Sequence, residues 1–149
     1  MSRVIIGPAT ASDFDVIVAL LEQERLPLAG LRDHLDQVLV GRDGARIVGC
    51  AALELYEEGA LLRSVAVDAE HRGTGLGSDL TRAAIRLAEQ NRAPAIYLLT
   101  TTAERFFPRF GFDVIDRADV PGSVKTSAEF AGACPSSAIV MRKVLTSAR

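Results

Sequence analysis

The residues with the clearest chemical consequence are His71-Arg72-Gly73-Thr74-Gly75-Leu76-Gly77-Ser78. Glycines at alternate positions remove the side chains that would keep a ligand off the backbone, and they relax the restriction on φ. An apolar run, Ala60 to Val67, precedes this segment, and a periodic pattern opening at Leu76 follows it. Between a strand and a helix, such a loop exposes first-turn N–H groups that have no intrahelical acceptor and sit at the positive end of the dipole. That arrangement cradles phosphate or pyrophosphate. Two familiar phosphate loops do not fit. A P-loop ends in Gly-Lys-Ser/Thr, whereas Gly77 is followed by Ser78-Asp79. The dinucleotide fingerprint needs Gly or Ala where this chain has Ser78, and it follows a first strand rather than lying mid-chain.

The elements that must position this loop are readable on both sides of it. Val4-Ile5-Ile6 predicts a short strand, and Ser12 a helix N-cap with Asp13 and Asp15 in the first turn. Phe14, Ile17, Val18, Leu20 and Leu21 share one helical face up to about Arg25. Leu26-Pro27 breaks that helix, and Leu31 to Gln37 has room for a further turn or two. Strands follow at Val38–Val40, Arg46–Leu55 and Ala60–Val67, separated by the turn signals Arg42-Asp43-Gly44 and Glu57-Glu58-Gly59. Helix 76–90 leads to a doubly buried strand at Ile96–Thr100, a short helix at Ala103–Phe110 closed by Gly111, and strands at Phe112–Ile115 and Ile139–Leu145.

Val65-Ala66-Val67 followed by Arg72-Gly73-Thr74-Gly75-Leu76-Gly77 resembles the coenzyme A signature of the GCN5-related N-acetyltransferases, Arg/Gln-x-x-Gly-x-Gly/Ala. The element order agrees, and the resemblance covers nearly the whole chain. It implies an α/β (α+β) acyl-CoA N-acyltransferase fold, a mixed sheet of about seven strands flanked by about four helices. Leu99-Thr100-Thr101, Phe106-Phe107, Gly111-Phe112, Pro121 and Ser137 are similar to members that acetylate the α-amine of glutamate or related amino acids. The tail, Pro121-x-Ser123-Val124 to Cys134-Pro135-x-Ser137-Ala138, is also similar to small acetyltransferases associated with arsenic resistance.

The resemblance implies acetyl transfer from acetyl-CoA to an amine by direct attack in a ternary complex. The pyrophosphate would lie on the backbone of Arg72, Gly73, Thr74, Gly75, Leu76, Gly77 and Ser78, with Arg72 either adding charge or pointing to solvent. Val65, Ala66 and Val67 would pair with the pantetheine arm through their backbones, an amide at Val65 polarising the thioester oxygen. Phe106 and Phe107 would flank the cofactor. Many relatives have a tyrosine at the position of Phe107 as acid for the leaving thiolate, so that role is vacant here. Tyr97 and Cys134 are substitutes, each also readable as a packing residue; a thiol with pKa near ~8.5 is in any case a fair leaving group. The amine must lose a proton. Glu54 is the nearest candidate base, acting through water, unless it simply faces solvent; His34 and His71 read as surface residues. A carboxylate-bearing acceptor needs a cation. Arg63, two residues before Val65, shares its strand face by simple alternation and is either that cation or half of a structural ion pair. Lys125, Ser123, Ser137 and Arg32 are further candidates.

Composition narrows the class. The chain has 149 residues, 48% of them hydrophobic and 24% charged, which describes one ordinary globular domain spanning 1–149. A formal net charge of −2 attracts neither nucleic acid nor anionic lipid. Apolar stretches fall short of the ~18 residues of a membrane span, and the first residues do not read as a signal peptide. Cys50 and Cys134 lack metal or redox spacing. A cytoplasmic enzyme needing no metal is expected, acting on a small amine or amino acid, with a homodimer a possible assembly. The rival readings are a peptide or protein N-acetyltransferase and a non-catalytic acetyl-CoA-binding regulatory module.

Overall fold

A computed structural model describes residues 4–133 and 137–145. Its centre is a seven-stranded sheet. The strands are β1 (Val4–Pro8), β2 (Val38–Asp43), β3 (Arg46–Tyr56), β4 (Gly59–Val67), β5 (Ala95–Thr100), β6 (Asp113–Ile115) and β7 (Ile139–Val144). They lie in the order β1-β2-β3-β4-β5-β7-β6, and only β4 and β5 run parallel. Helix α1 (Phe14–Gln23) covers one face and α2 (Leu76–Gln90) the other.

Residues 47–54 of β3 are buried without a break, because helices cover both of the strand's faces. Val48, Leu53 and Leu62 pack toward α2 with Leu80 and Ala84, whereas Cys50, Ala52 and Ala66 pack toward α1 with Ile17 and Leu21. A third cluster, Leu61, Tyr97, Val120, Val124 and Val140, seats the loop that follows β6.

Two details of the expected helices change. The first helical segment is capped by Thr10, not Ser12: the Asp13 carboxylate folds back to accept from the Thr10 N–H at 2.8 Å. The segments expected around Leu31–Gln37 and Ala103–Phe110 are 3-10 turns, at Leu31–Gln37 and Phe107–Phe110. Pro108 has no N–H to donate to the carbonyl four residues back, which keeps the second one short. No helix among the described residues is long and apolar enough to cross a membrane.

Candidate active site

The parallel strands β4 and β5 pair only at Ala60–Ile96 and Leu61–Tyr97, and beyond that they part. A bulge accompanies the divergence. Cys50 opposes Ala66 and Ala52 opposes Arg63, so Ala51 alone faces both Ser64 and Val65. Ser64 takes the extra step with φ = +60°, a left-handed conformation costing a non-glycine residue roughly 1–2 kcal/mol. The Cys50 thiol donates to the Ser64 carbonyl at 3.2 Å. Burial pushes that thiol's pKa up to about 12, so it stays protonated and keeps donating. Past Leu61, the β5-facing edge of β4 offers backbone groups that no neighbouring strand takes up.

Three adjoining cavities follow from the split. The first, of about 380 Å³, is lined by Val67, His71, Phe106, Arg109 and the loop from Arg72 to Ser78 except Thr74, whose hydroxyl instead donates to the His71 carbonyl. Gly75 caps α2 at φ = +89° and Gly73 has φ = +80°; no atom lies within 4 Å of where a Cβ would fall on either. The loop thus needs glycine for its path and keeps open space before the first turn of α2. His71 Nε2 meets Asp43 at 3.2 Å, while its buried Nδ1 has no hydrogen-bond partner within the protein. A backbone cradle with an orphaned polar atom beside it fits a pyrophosphate. The second cavity, a slot of about 200 Å³ between the parted strands, includes Leu62, Val65, Leu98, Phe106 and Phe107. The third, about 370 Å³, is walled by Arg25, Pro27, Thr101, Glu129 and Ala138. Phe106 lines both cradle and slot, and Ser64, Thr100 and Thr102 line both slot and third cavity.

A buried ion network forms part of the wall of the third cavity, which Arg63 and Glu129 both line. The Arg63 side chain is 0% exposed, with Nη1 2.9 Å from Glu54 and Nε 3.4 Å from Glu129. It also donates to the carbonyls of Ala29 (2.6 Å) and Pro27 (3.0 Å) and to Ser64 Oγ (3.1 Å). Glu54 accepts further from Tyr56 Oη at 2.5 Å. Burial alone would raise the Glu54 pKa, but hydrogen bonds from Ser127, Tyr56 and Arg63, with His34 nearby, hold it below the ordinary carboxylate value.

The family profile described as "Acetyltransferase (GNAT) domain" matches residues 34–114, which take in the central hairpin, the split and the glycine loop. The chain belongs to the GNAT acetyltransferases. A curated relative is the amino-acid acetyltransferase of Pasteurella multocida, 32% identical over 123 residues, covering 76% of this chain and 28% of that protein. The chain thus spans little more than a quarter of the first such relatives it matches. Among solved structures, Neisseria gonorrhoeae N-acetylglutamate synthase complexed with coenzyme A and N-acetyl-glutamate aligns with a TM-score of 0.82. That match has 21% identity and covers 97% of this chain and 36% of that one. A Mycobacterium tuberculosis protein in complex with CoA and NLQ aligns with a TM-score of 0.80 at 24% identity, covering 95% and 99%. Both share the GNAT fold with this chain.

Against that frame several expected site residues move. Arg63 and Val65 do not share a face, because the bulge adds a residue between them: Val65 packs toward α2, while Arg63, which still lines both the slot and the third cavity, is paired with Glu54 and Glu129. Glu54 neither faces solvent nor lines any of the three cavities; it is 0% exposed and committed to Arg63 and Tyr56. Tyr97 lies in the third apolar cluster with its ring over Gly59, at the closed end of the split. Arg72 lines the cradle from an exposed position, with its Nη2 paired to both Glu24 carboxylate oxygens at the end of α1. Lys125 is exposed on a 3-10 turn, Ser123 brackets Glu58, and Arg32 stacks 4.1 Å from the Phe14 ring centroid; none of the three lines the third cavity. Ser137 is exposed beside the cavity-lining Ala138. His34 is half-buried, 3.8 Å from Glu54. Cys134 lies outside the described residues.

The cavity residues that sequence reasoning passed over are Arg25, Ser64, Arg109 and Glu129. For Ser64 a signal existed: a polar residue beside Arg63 inside an apolar strand. Arg25 sits at φ = +58° in the turn that ends α1, a conformation its sequence position does not announce.

Proposed function

We propose that the chain catalyses acetyl transfer from acetyl-CoA to the α-amine of a small amino acid. The observation that carries this is the succession of three adjoining cavities, cradle, slot and third cavity, of which the first two share Phe106 and the last two Ser64 and Thr100. A cavity of about 370 Å³ falls within the range of small-molecule sites, ~300–1,000 Å³. It brings a cation, Arg25, and a carboxylate, Glu129, to one space, which suits a zwitterion better than a simple amine. Relatives named as amino-acid acetyltransferases support the same reading.

Acetyl-CoA, when bound, supplies an activated acetyl thioester. The glycine loop would hold the pyrophosphate, and the open edge of β4 at Val65 would receive the pantetheine arm and donate to the thioester oxygen. Arg25 would take the acceptor carboxylate and Glu129 the amine end. Ser64 Oγ accepts from Arg63 Nε, which leaves its own proton available at the junction of slot and cavity. We assign that hydroxyl the hydrogen bond to the departing sulfur, in place of the tyrosine vacated at Phe107.

Turnover of acetyl-CoA, read by thiol release against panels of amino acids, decarboxylated amines and peptides, tests the reading. Amino acids should be preferred, and Gly77→Val should abolish turnover and coenzyme A binding. A Cβ on Gly77 lies at ordinary contact distances, 3.7 Å from Val67 and 3.8 Å from Phe106, so it fills the cradle without straining the backbone. Acetylation of peptides but no amino acid would refute the acceptor; undiminished binding in folded Gly77→Val would refute the cradle.

A further inference from the structure

On the outer side of α2, next to the cradle, lies a basin of about 380 Å³ in which Arg82, Arg86, Arg109 and Lys143 meet around Phe110 with one carboxylate, Glu89. Four cations converge there in a chain whose formal net charge is −2. With Glu89 as the one carboxylate in the lining, the basin is left net positive and suited to an anion. Asp79, 3.5 Å from Arg82, offsets part of one charge. Lys143 comes in close because residue 111 is glycine at φ = +91°; a Cβ there would fall 2.8 Å from the Lys143 ammonium nitrogen. The basin is continuous with the cradle, since Arg109 lines both. A wall of stacked groups joins them. The Arg109 guanidinium lies 5.3 Å from the Phe106 ring centroid, Phe106 lies 5.2 Å from Phe110, and the Arg82 guanidinium lies 5.3 Å from Phe110. Flat guanidinium and aromatic faces of this kind also receive a purine.

We infer that this basin is a second phosphate site, taking the 3′-phosphate of coenzyme A while the glycine loop takes the pyrophosphate. The inference rests on the reading of the glycine loop given above. A 3′-phosphate is a monoester carrying close to two negative charges at neutral pH, and one ribose separates it from the pyrophosphate. It therefore asks for a dense cationic site adjoining the cradle, as Arg109 makes this basin. Arg86 is exposed and Lys143 half-buried, and neither lines the cradle.

Isothermal titration of coenzyme A and of 3′-dephospho-coenzyme A tests this without turnover, on the wild type, Arg86→Gln, Lys143→Gln and the double variant. Coenzyme A should bind roughly five- to thirtyfold tighter than the dephospho form, as two or three partly exposed ion pairs would give. The advantage should shrink between 50 and 500 mM salt. The double variant should lose most of that advantage, Arg82 and Arg109 remaining, while its affinity for the dephospho form stays at the wild-type value. Equal affinities in the wild type, or equal losses of both ligands in the variants, would overturn the site. Binding of neither ligand by the wild type would refute the glycine-loop reading and this inference with it. A site in place but a cradle misread would show instead as Gly77→Val leaving the dephospho form bound.

Discussion

Replacing Arg63 by methionine separates the role read from sequence from the role built into the fold. Alternation along β4 makes Arg63 a substrate anchor, and on that basis Arg63→Met raises the acceptor KM and little else. The geometry gives a different result. The substitution leaves Glu54 and Glu129, whose side chains are 1% and 4% exposed, without their shared cation. It also strips donors from the carbonyls of Pro27 and Ala29. Removing one partner of a buried ion pair costs about 3–5 kcal/mol, a large part of the ~5–15 kcal/mol that holds a typical native state. For a chain of this size the loss corresponds to a fall in melting temperature of roughly 6–20 °C. The assay is urea unfolding followed by far-UV circular dichroism between pH 5 and 8. In the wild type the Glu54 pKa is lowered, so its contribution is complete above the unfolded value and is lost as pH falls through the folded one. Without Arg63 one of the hydrogen bonds that offset burial is lost, so the carboxyl pKa moves up from its wild-type position and its charged form supports folding less. The deficit of Arg63→Met should therefore narrow as pH falls toward the carboxylate range, and Glu54→Gln added to it should restore part of the stability. A loss below about 1 kcal/mol together with a raised acceptor KM would refute this reasoning and reinstate the anchor.

Ser64→Ala and Ser64→Gly both remove the hydroxyl and should lower kcat alike, but only glycine relieves φ = +60°, so Ser64→Gly should be about 1 kcal/mol the more stable by urea unfolding; equal kcat to wild type would refute the assigned proton. Tyr56→Phe removes a hydrogen bond to the Glu54 carboxylate, a loss of about 1.5–3 kcal/mol at neutral pH that should raise the midpoint of acid unfolding, followed by fluorescence or circular dichroism. An unmoved acid midpoint would mean that the bond contributes nothing to the low Glu54 pKa.

The parts of the site legible in the sequence are those set by local chemistry. Glycines at 73, 75 and 77 require an open loop wherever the chain goes, and the apolar run through Val65-Ala66-Val67 requires a buried strand. The seven strands and α2 follow from periodicity that burial then enforces. What escaped is non-local. A bulge inverts the parity of a strand without altering its composition, so simple alternation puts Arg63 on the face of Val65 that it does not share. Glu54 reads as an ordinary strand glutamate until the guanidinium opposite it is known. Glu129 reaches the cavity only because the loop after β6 folds back over Leu61 and Tyr97, a packing event with no signature in a run of small and polar residues.

The two carbonyls that Arg63 grips belong to the loop after α1, so one guanidinium rivets that loop, which walls the third cavity, to the central strand beside the Ser64 bulge. Wall and slot junction therefore shift together, and a mutation that relocates the loop backbone disturbs both at once. Diversification toward new acceptors has a narrower route. Arg25, Thr101 and Thr102 project into the cavity as exposed side chains, and exchanging them changes the shape and charge that an acceptor meets while leaving the rivet in place. Libraries restricted to those three positions should yield folded, altered-specificity variants far more often than libraries that include 27, 29 or 63.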